Sequence, residues 1–196
     1  MTDLVLTYTL EATESALPGM NEEFGLVQRA RAGEMDAFEE IMQRYENRIL
    51  RYLSGAVGNA EVAEELCQET FLAAYRAFPR TSDDLRLSSW LHTIALNRAR
   101  SYHRRRRLKT FLPLTDDHAS AAADLQQSVV ARDSVLRALS HLPKAYREPL
   151  LLQLGSGLTC KEIGEVLGCS EGAVKVRLMR ARQAFRREYK DEDREP

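Results

Sequence analysis

Apolar side chains recur along this chain at helical rather than strand spacing. Phe38, Ile41, Met42, Tyr45, Ile49, Tyr52 and Leu53 form one stripe of about five turns, which predicts a long amphipathic helix. Before it, Asn21 can cap a helix that opens with Glu22 and Glu23 and runs to about Ala32, with Gly33 as its stop. Gly55 and Gly58-Asn59 are read as the end of the long helix. A third helix over Ala60–Ala77 turns Cys67, Phe71, Ala74 and Phe78 inward. Pro79–Leu85 reads as a polar loop. Beyond it Leu87, Trp90, Leu91, Ile94 and Ala95 restart the helical period. The period lapses over Phe111–Ser128, where Pro113, Asp116-Asp117, Ser120 and an alanine run suit a linker. From about Val129 the residues Val135, Leu136 and Leu139 begin another helix, ending near Leu142-Pro143. Leu150, Leu151, Leu152 and Leu154 belong to the next, for which Gly155 and Gly157 are the expected stops. The fold class expected is all-α: two small helical domains joined by a flexible linker. The boundaries are a mobile tail at 1–20, a first domain at 21–110, a linker at 111–128, a second domain at 129–190 and a charged tail at 191–196.

The stretch Leu158–Arg187 carries the most specific local signal. Thr159 and Glu162 stand three apart and can satisfy each other's orphan backbone donors, a capping box. Ile163, Val166 and Leu167 make a short amphipathic helix, and Gly168 can end it in the left-handed conformation. Ser170 can cap a second helix. In that helix Val174, Leu178, Ala181 and Phe185 share one face, and Gly172, Val176, Met179, Arg180, Gln183 and Arg187 lie opposite. Lys175, Arg177, Arg182 and Arg186 flank them. A short helix, a glycine turn and a longer helix with a basic outer face predict a helix-turn-helix whose second helix enters a DNA major groove. A plain helical hairpin with solvated cations is the alternative.

Net charge is −1 over 196 residues, which taken alone disfavours a nucleic-acid partner. The distribution changes that. Residues 1–80 hold seven basic and fourteen acidic side chains, whereas residues 81–111 hold eight and two. Such segregation steers a protein toward polyanions even when the total is near zero. Arg98, Arg100, Arg104, Arg105, Arg106, Arg107 and Lys109 put seven permanent cations into twelve residues at the end of a helix, a footprint for phosphates.

Three cysteines, Cys67, Cys160 and Cys169, form no Cys-x-x-Cys pair, and an odd count suits a reducing compartment. Cys67 falls on an apolar stripe, as a small buried hydrophobe would. The four histidines have no metal-ligand spacing. No catalytic arrangement, cofactor or metal site is suggested. No apolar run approaches the ~20 residues of a membrane span and no signal peptide opens the chain, so a cytoplasmic protein that is not an enzyme is expected.

Three stretches resemble one known family. Ser170-Glu171-Gly172-Ala173-Val174-Lys175-Val176-Arg177-Leu178-Met179-Arg180-Ala181-Arg182 is similar to the region-four recognition helix of bacterial extracytoplasmic-function (ECF) sigma factors, departing from it at Ala173 and Val176. Glu64–Leu72 resembles the Asp-Leu-x-Gln-Glu-x-Phe signature of region two, with Glu65 where aspartate is common. Ser88–Arg98 resembles the Trp-Leu-x-x-Ile-Ala-x-Asn motif of the same region. The resemblance covers about residues 22–189. It implies a sigma factor that binds RNA polymerase core, directs it to promoters and helps melt the duplex. Polymerase contacts, to the clamp helices of the largest subunit, fall on Glu61, Glu65, Gln68, Glu69 and Leu72. DNA contacts fall on Arg98, Arg100 and Arg104–Arg107 for the minus-ten element. For the minus-thirty-five element they fall on Lys161, Ser170, Glu171, Gly172, Lys175, Val176, Arg177, Met179 and Arg180. An anti-sigma factor is a further expected partner. A free-standing helix-turn-helix regulator remains the alternative.

Overall fold

The computed structural model describes residues 18–82, 84–111, 135 and 137–192. Every regular element among them is helical: α1 (Pro18–Arg31), α2 (Met35–Val57), α3 (Ala60–Ala77), a 3-10 turn (Phe78–Arg80), α4 (Leu87–Phe111), α5 (Lys144–Ser156), α6 (Cys160–Leu167) and α7 (Glu171–Glu192). A further helical stretch occupies 137–141.

Helices α1–α4 enclose the first core. Ile41, Ile49 and Leu53 of α2 meet Ala63 and Ala74 of α3 and Leu87, Leu91 and Ala95 of α4, all fully buried. Local chemistry sets the ends of these helices. The Asn59 side chain accepts the Val62 amide at 2.9 Å and so opens α3, and Gly58 closes α2 at φ +69°. Phe38 packs edge-on to Phe78, and Phe78 edge-on to Trp90 with centroids 5.3 Å apart, so Trp90 is part of the packing. The hydroxyl of Tyr45 donates to Glu23 at 2.9 Å and ties α1 to α2.

In the second domain Leu139 and Leu142, Leu150–Leu152 of α5, Ile163 and Val166 of α6, and Val174, Leu178 and Ala181 of α7 are buried, and they are continuous with the core of the first. Helix α5 carries Pro149 in its interior. Proline has no amide hydrogen to return to the preceding turn.

Several expected boundaries move. Helix α1 begins at Pro18 rather than after Asn21, in keeping with proline's preference for the first helical turn. Helix α4 runs through Phe111, and α7 continues to Glu192 past the expected boundary at 190. The expected linker after Phe111 lies outside the described residues, as do the remainders of both tails. Gly55 and Gly155 are not stops. Both sit inside helices, α2 and α5, and only Gly58 and Gly157 adopt the left-handed cap.

The reason is the contact between the two domains, which sequence periodicity does not show. Helix α5 lies along α2, and α6 packs on α4. A Cβ at Gly155 would stand 3.4 Å from the backbone N and Cα of Tyr52, and one at Gly55 would stand 2.6 Å from Cδ2 of Leu151. The glycines let the two helices approach this closely. The Nε of Arg51 donates to the Gly155 carbonyl at 2.9 Å, and the Ser156 hydroxyl to the Arg48 carbonyl at 3.4 Å.

Candidate nucleic-acid interface

The helix-turn-helix forms as its sequence dictates. The Thr159 hydroxyl accepts the Glu162 amide at 3.3 Å while the Glu162 carboxylate accepts the Thr159 amide at 2.8 Å, the reciprocal pair of a capping box. Gly168 ends α6 at φ +66°. The Ser170 hydroxyl accepts the Ala173 amide at 3.2 Å and starts α7. A second glycine matters here that periodicity did not single out. A Cβ on Gly164 would fall 2.7 Å from the Cys169 carbonyl oxygen, so the turn folds back onto α6 only because the side chain is missing. The signal for it was a glycine inside a helix with a strong apolar stripe.

Val174, Leu178 and Ala181 are buried, which turns the opposite face of α7 to solvent. Gly172, Lys175, Val176, Met179 and Arg180 are all exposed, Val176 at 46% and Met179 at 52%. Exposed valine and methionine among cations suit contact with base edges, where thymine offers a methyl group. Lys161, Ser170 and Glu171 line one shallow hollow at the turn. The Lys175 ammonium pairs with Glu171 at 2.6 Å, which raises the lysine's pKa and lowers the glutamate's. Arg177 differs from its neighbours: it is half-buried and its Nη1 lies 3.5 Å from the Cys169 sulfur.

On α4 the cations do not form a single patch. Consecutive helical residues point about 100° apart, so Arg104–Arg107 cannot all face one strand. Arg104 and Arg107 line a cleft of about 480 Å³ with Arg100, opposite Lys144 and Arg147 of α5. The crowding of cations contributes to a lowered pKa at His103, after burial; its Nε2 lies 2.9 Å from the Ala56 carbonyl oxygen. Arg100 holds Glu148 through bonds of 2.9 and 2.8 Å. Arg98 pairs with Glu69 of α3 at 3.3 Å. Lys109 lies among side chains outside the described set.

The outer face of α3 presents Glu61, Glu65, Gln68 and Glu69, all exposed, with Leu72 at 49%. Tyr75, three residues beyond Leu72 and 41% exposed, extends the apolar part of this face and was not singled out from the sequence. Cys67 is buried, and burial pushes its thiol up to about 11, an inert state. No cluster of potential metal ligands and no helix able to cross a membrane occurs among the described residues.

Two helical domains, one with an acidic outer face and a basic helix end, the other with an exposed recognition helix, define a DNA-binding transcription factor that also offers a protein-docking face. Comparison with known proteins identifies which. Residues 41–109 match sigma-70 region 2 and residues 132–185 match sigma-70, region 4. The chain is 34% identical over 162 residues to RNA polymerase sigma factor CarQ of Myxococcus xanthus, covering 82% of this chain and 93% of that one. It is 27% identical over 178 residues to ECF RNA polymerase sigma factor SigW of Bacillus subtilis, covering 84% and 95%. The fold is similar to that of CnrH in its complex with the cytosolic domain of CnrY, with a TM-score of 0.67 at 23% identity over 83% of this chain and 93% of that one. It is also similar to sigma factor RpoE of Bartonella quintana in complex with the anti-sigma factor NepR, with a TM-score of 0.62 at 23% identity over 78% and 96%. The chain belongs to the sigma-70 family, as an ECF RNA polymerase sigma factor, and its function is promoter recognition in transcription initiation.

Proposed function

We propose that residues 21–110 act as the core-binding and minus-ten domain and residues 129–190 as the minus-thirty-five domain. The observation that carries this is the separation of surfaces: an acidic face with exposed Leu72 on α3, cations on α4, and an outward basic face on α7. Glu61, Glu65, Gln68, Glu69 and Leu72 dock on the clamp helices of the largest polymerase subunit. Arg98, Arg100 and Arg104–Arg107 hold phosphates near the minus-ten element. Phosphate contacts position the protein without reading sequence. The loop between Phe78 and Leu87, anchored by two buried ends, captures an unstacked base of the non-template strand. Extrusion costs a few kcal/mol, which pocket contacts and neighbouring cations offset.

In the second domain Lys175, Val176, Met179 and Arg180 read base edges, with Arg177 closer to the turn. Ser170, Glu171, Gly172 and Lys161 set the approach to the backbone. The chain does no chemistry of its own and works in the cytoplasm, and an anti-sigma factor restrains it, as one accompanies the RpoE relative. Transcription reconstituted with core polymerase on a library of promoters tests the whole. Initiation should depend on the chain and on two sequence blocks. Initiation that depends on only one block would remove one of the two domain assignments.

A further inference from the structure

The outward face of α7 mixes two chemistries. Its cations are partly engaged already: Lys175 is paired with Glu171 at 2.6 Å, and Arg177 leans on the Cys169 sulfur at 3.5 Å. Val176 and Met179 are the two large apolar side chains of α7 that stand exposed among the described residues. They are three positions apart and so adjacent on the helix surface. A helical side chain covers the turn N-terminal to its own Cα. For Val176 that turn holds Gly172, where even an added Cβ would meet nothing within 4 Å. No side chain at 172 screens the valine. Both apolar residues fall in the N-terminal half of α7, the part of a recognition helix that contacts base edges.

A valine offers a base nothing but hydrocarbon. In the major groove guanine, adenine and cytosine are read by hydrogen bonds, and thymine alone adds a C5-methyl group. An apolar side chain pressed against a donor or acceptor strips its water and returns no partner, which is unfavourable. Against a methyl group both surfaces are apolar, and the loss of water is favourable. Met179 acts the same way, since its thioether is flexible and at most a weak acceptor. The chain departs from the family pattern at Val176, so this preference belongs to the chain rather than to the family.

We propose that Val176 and Met179 form a methyl-reading patch. The upstream element carries thymine beneath it, and 5-methylcytosine, which bears the same group at the same ring carbon, substitutes for thymine there whereas cytosine does not. This rests on the assignment of α7 to the minus-thirty-five element.

The experiment uses the full chain with core polymerase on the promoter that the library selects. Each thymine of the upstream element is replaced singly by deoxyuridine, which removes the methyl group and leaves every hydrogen-bonding group in place. At one or two positions wild-type initiation should fall about four-fold, the effect of losing one buried methyl group. Cytosine at those positions should initiate poorly, and 5-methylcytosine should recover about the same factor. Val176→Ser and Met179→Gln replace the apolar groups with polar ones at exposed positions, and circular dichroism checks that each variant keeps its helices. Together they should make thymine and uracil equivalent. Wild-type initiation that tolerates uracil at every thymine, or a selected upstream element without thymine, would overturn the proposal, and neither result needs a variant to fold. Uracil sensitivity that persists unchanged in the folded double variant would overturn it too. Initiation that depends on no upstream base pair would remove the assignment of α7 and the proposal with it. Dependence on the upstream block without dependence on its methyl groups would remove the proposal alone.

Discussion

Glu69 and Arg98 form an ion pair at 3.3 Å, although they are assigned to different partners, polymerase and DNA. Both side chains are more than a third exposed, so the pair contributes little to stability and either member can leave it at small cost. The acidic face of α3 and the cations of α4 are thus distinct surfaces that meet at this pair.

Reversing charge on that face should abolish docking without unfolding the domain. Glu65→Arg with Glu69→Arg is expected to lose capture of core polymerase in a pull-down. Its melting temperature should stay within a few degrees of wild type, since surface changes shift stability by about 0.5 kcal/mol or less. Capture at the wild-type level would end the assignment.

Neutralising Arg104–Arg107 with glutamine should weaken binding to every promoter alike. The slope of log affinity against log salt should become shallower by about 0.9 for each phosphate that the variant no longer neutralises. A weakening confined to one sequence class would mean that these arginines read bases.

Arg180→Ala should flatten the preference at one or two adjacent base pairs of the upstream element and leave capture of polymerase unchanged. Arginine on a guanine edge contributes about 1–3 kcal/mol of discrimination. Transcription from promoters varied singly across that element measures it. An unaltered preference profile would shift the reading role to Lys175 or Arg177.

Stability should fall as the pH drops below neutrality, through His92. Its ring is fully buried on α4, with Nδ1 2.7 Å from the Ser88 carbonyl oxygen and no partner at Nε2. Burial lowers its pKa, and the charge of Arg48 adds to this, against an opposing pull from Glu162 and the Ser88 carbonyl. The unfolded chain therefore takes up the proton first, near the ordinary value of about 6.5, and gains stability relative to the folded one as pH falls further. His103 acts with the same sign. Thermal melts at pH 7.5 and 5.5 should show a larger drop for wild type than for His92→Leu. Equal drops would place the effect elsewhere.

What the sequence made legible was local. The capping box of Thr159 and Glu162, the Asn59 and Gly58 signals between α2 and α3, and the inward face of α7 depend on residues within a turn or two of each other. Gly55 and Gly155 were misread as stops because each faces a residue about a hundred positions away, Leu151 and Tyr52. Spacing along one helix cannot register a neighbour from another domain. For the same reason Arg100 read as free for phosphate, although Glu148 holds it. Four adjacent arginines read as one patch until the helix placed only Arg104 and Arg107 beside the cleft. The resemblance pointed to the residue set, and packing shows which of its members are already engaged.

The proline inside α5 has its own consequence. Pro149 leaves the Ala145 carbonyl without the amide that a regular helix would supply, and Gly155 loosens the same helix six residues later. Helix α5 is thus weak by itself and is held by Arg51 and the Tyr52 backbone of the first domain as much as by its own backbone. In native-state hydrogen exchange its amides should be among the first helical ones of the second domain to open, ahead of those in the capped turn of α6. Cut away from the first domain, the second should lose order first along α5.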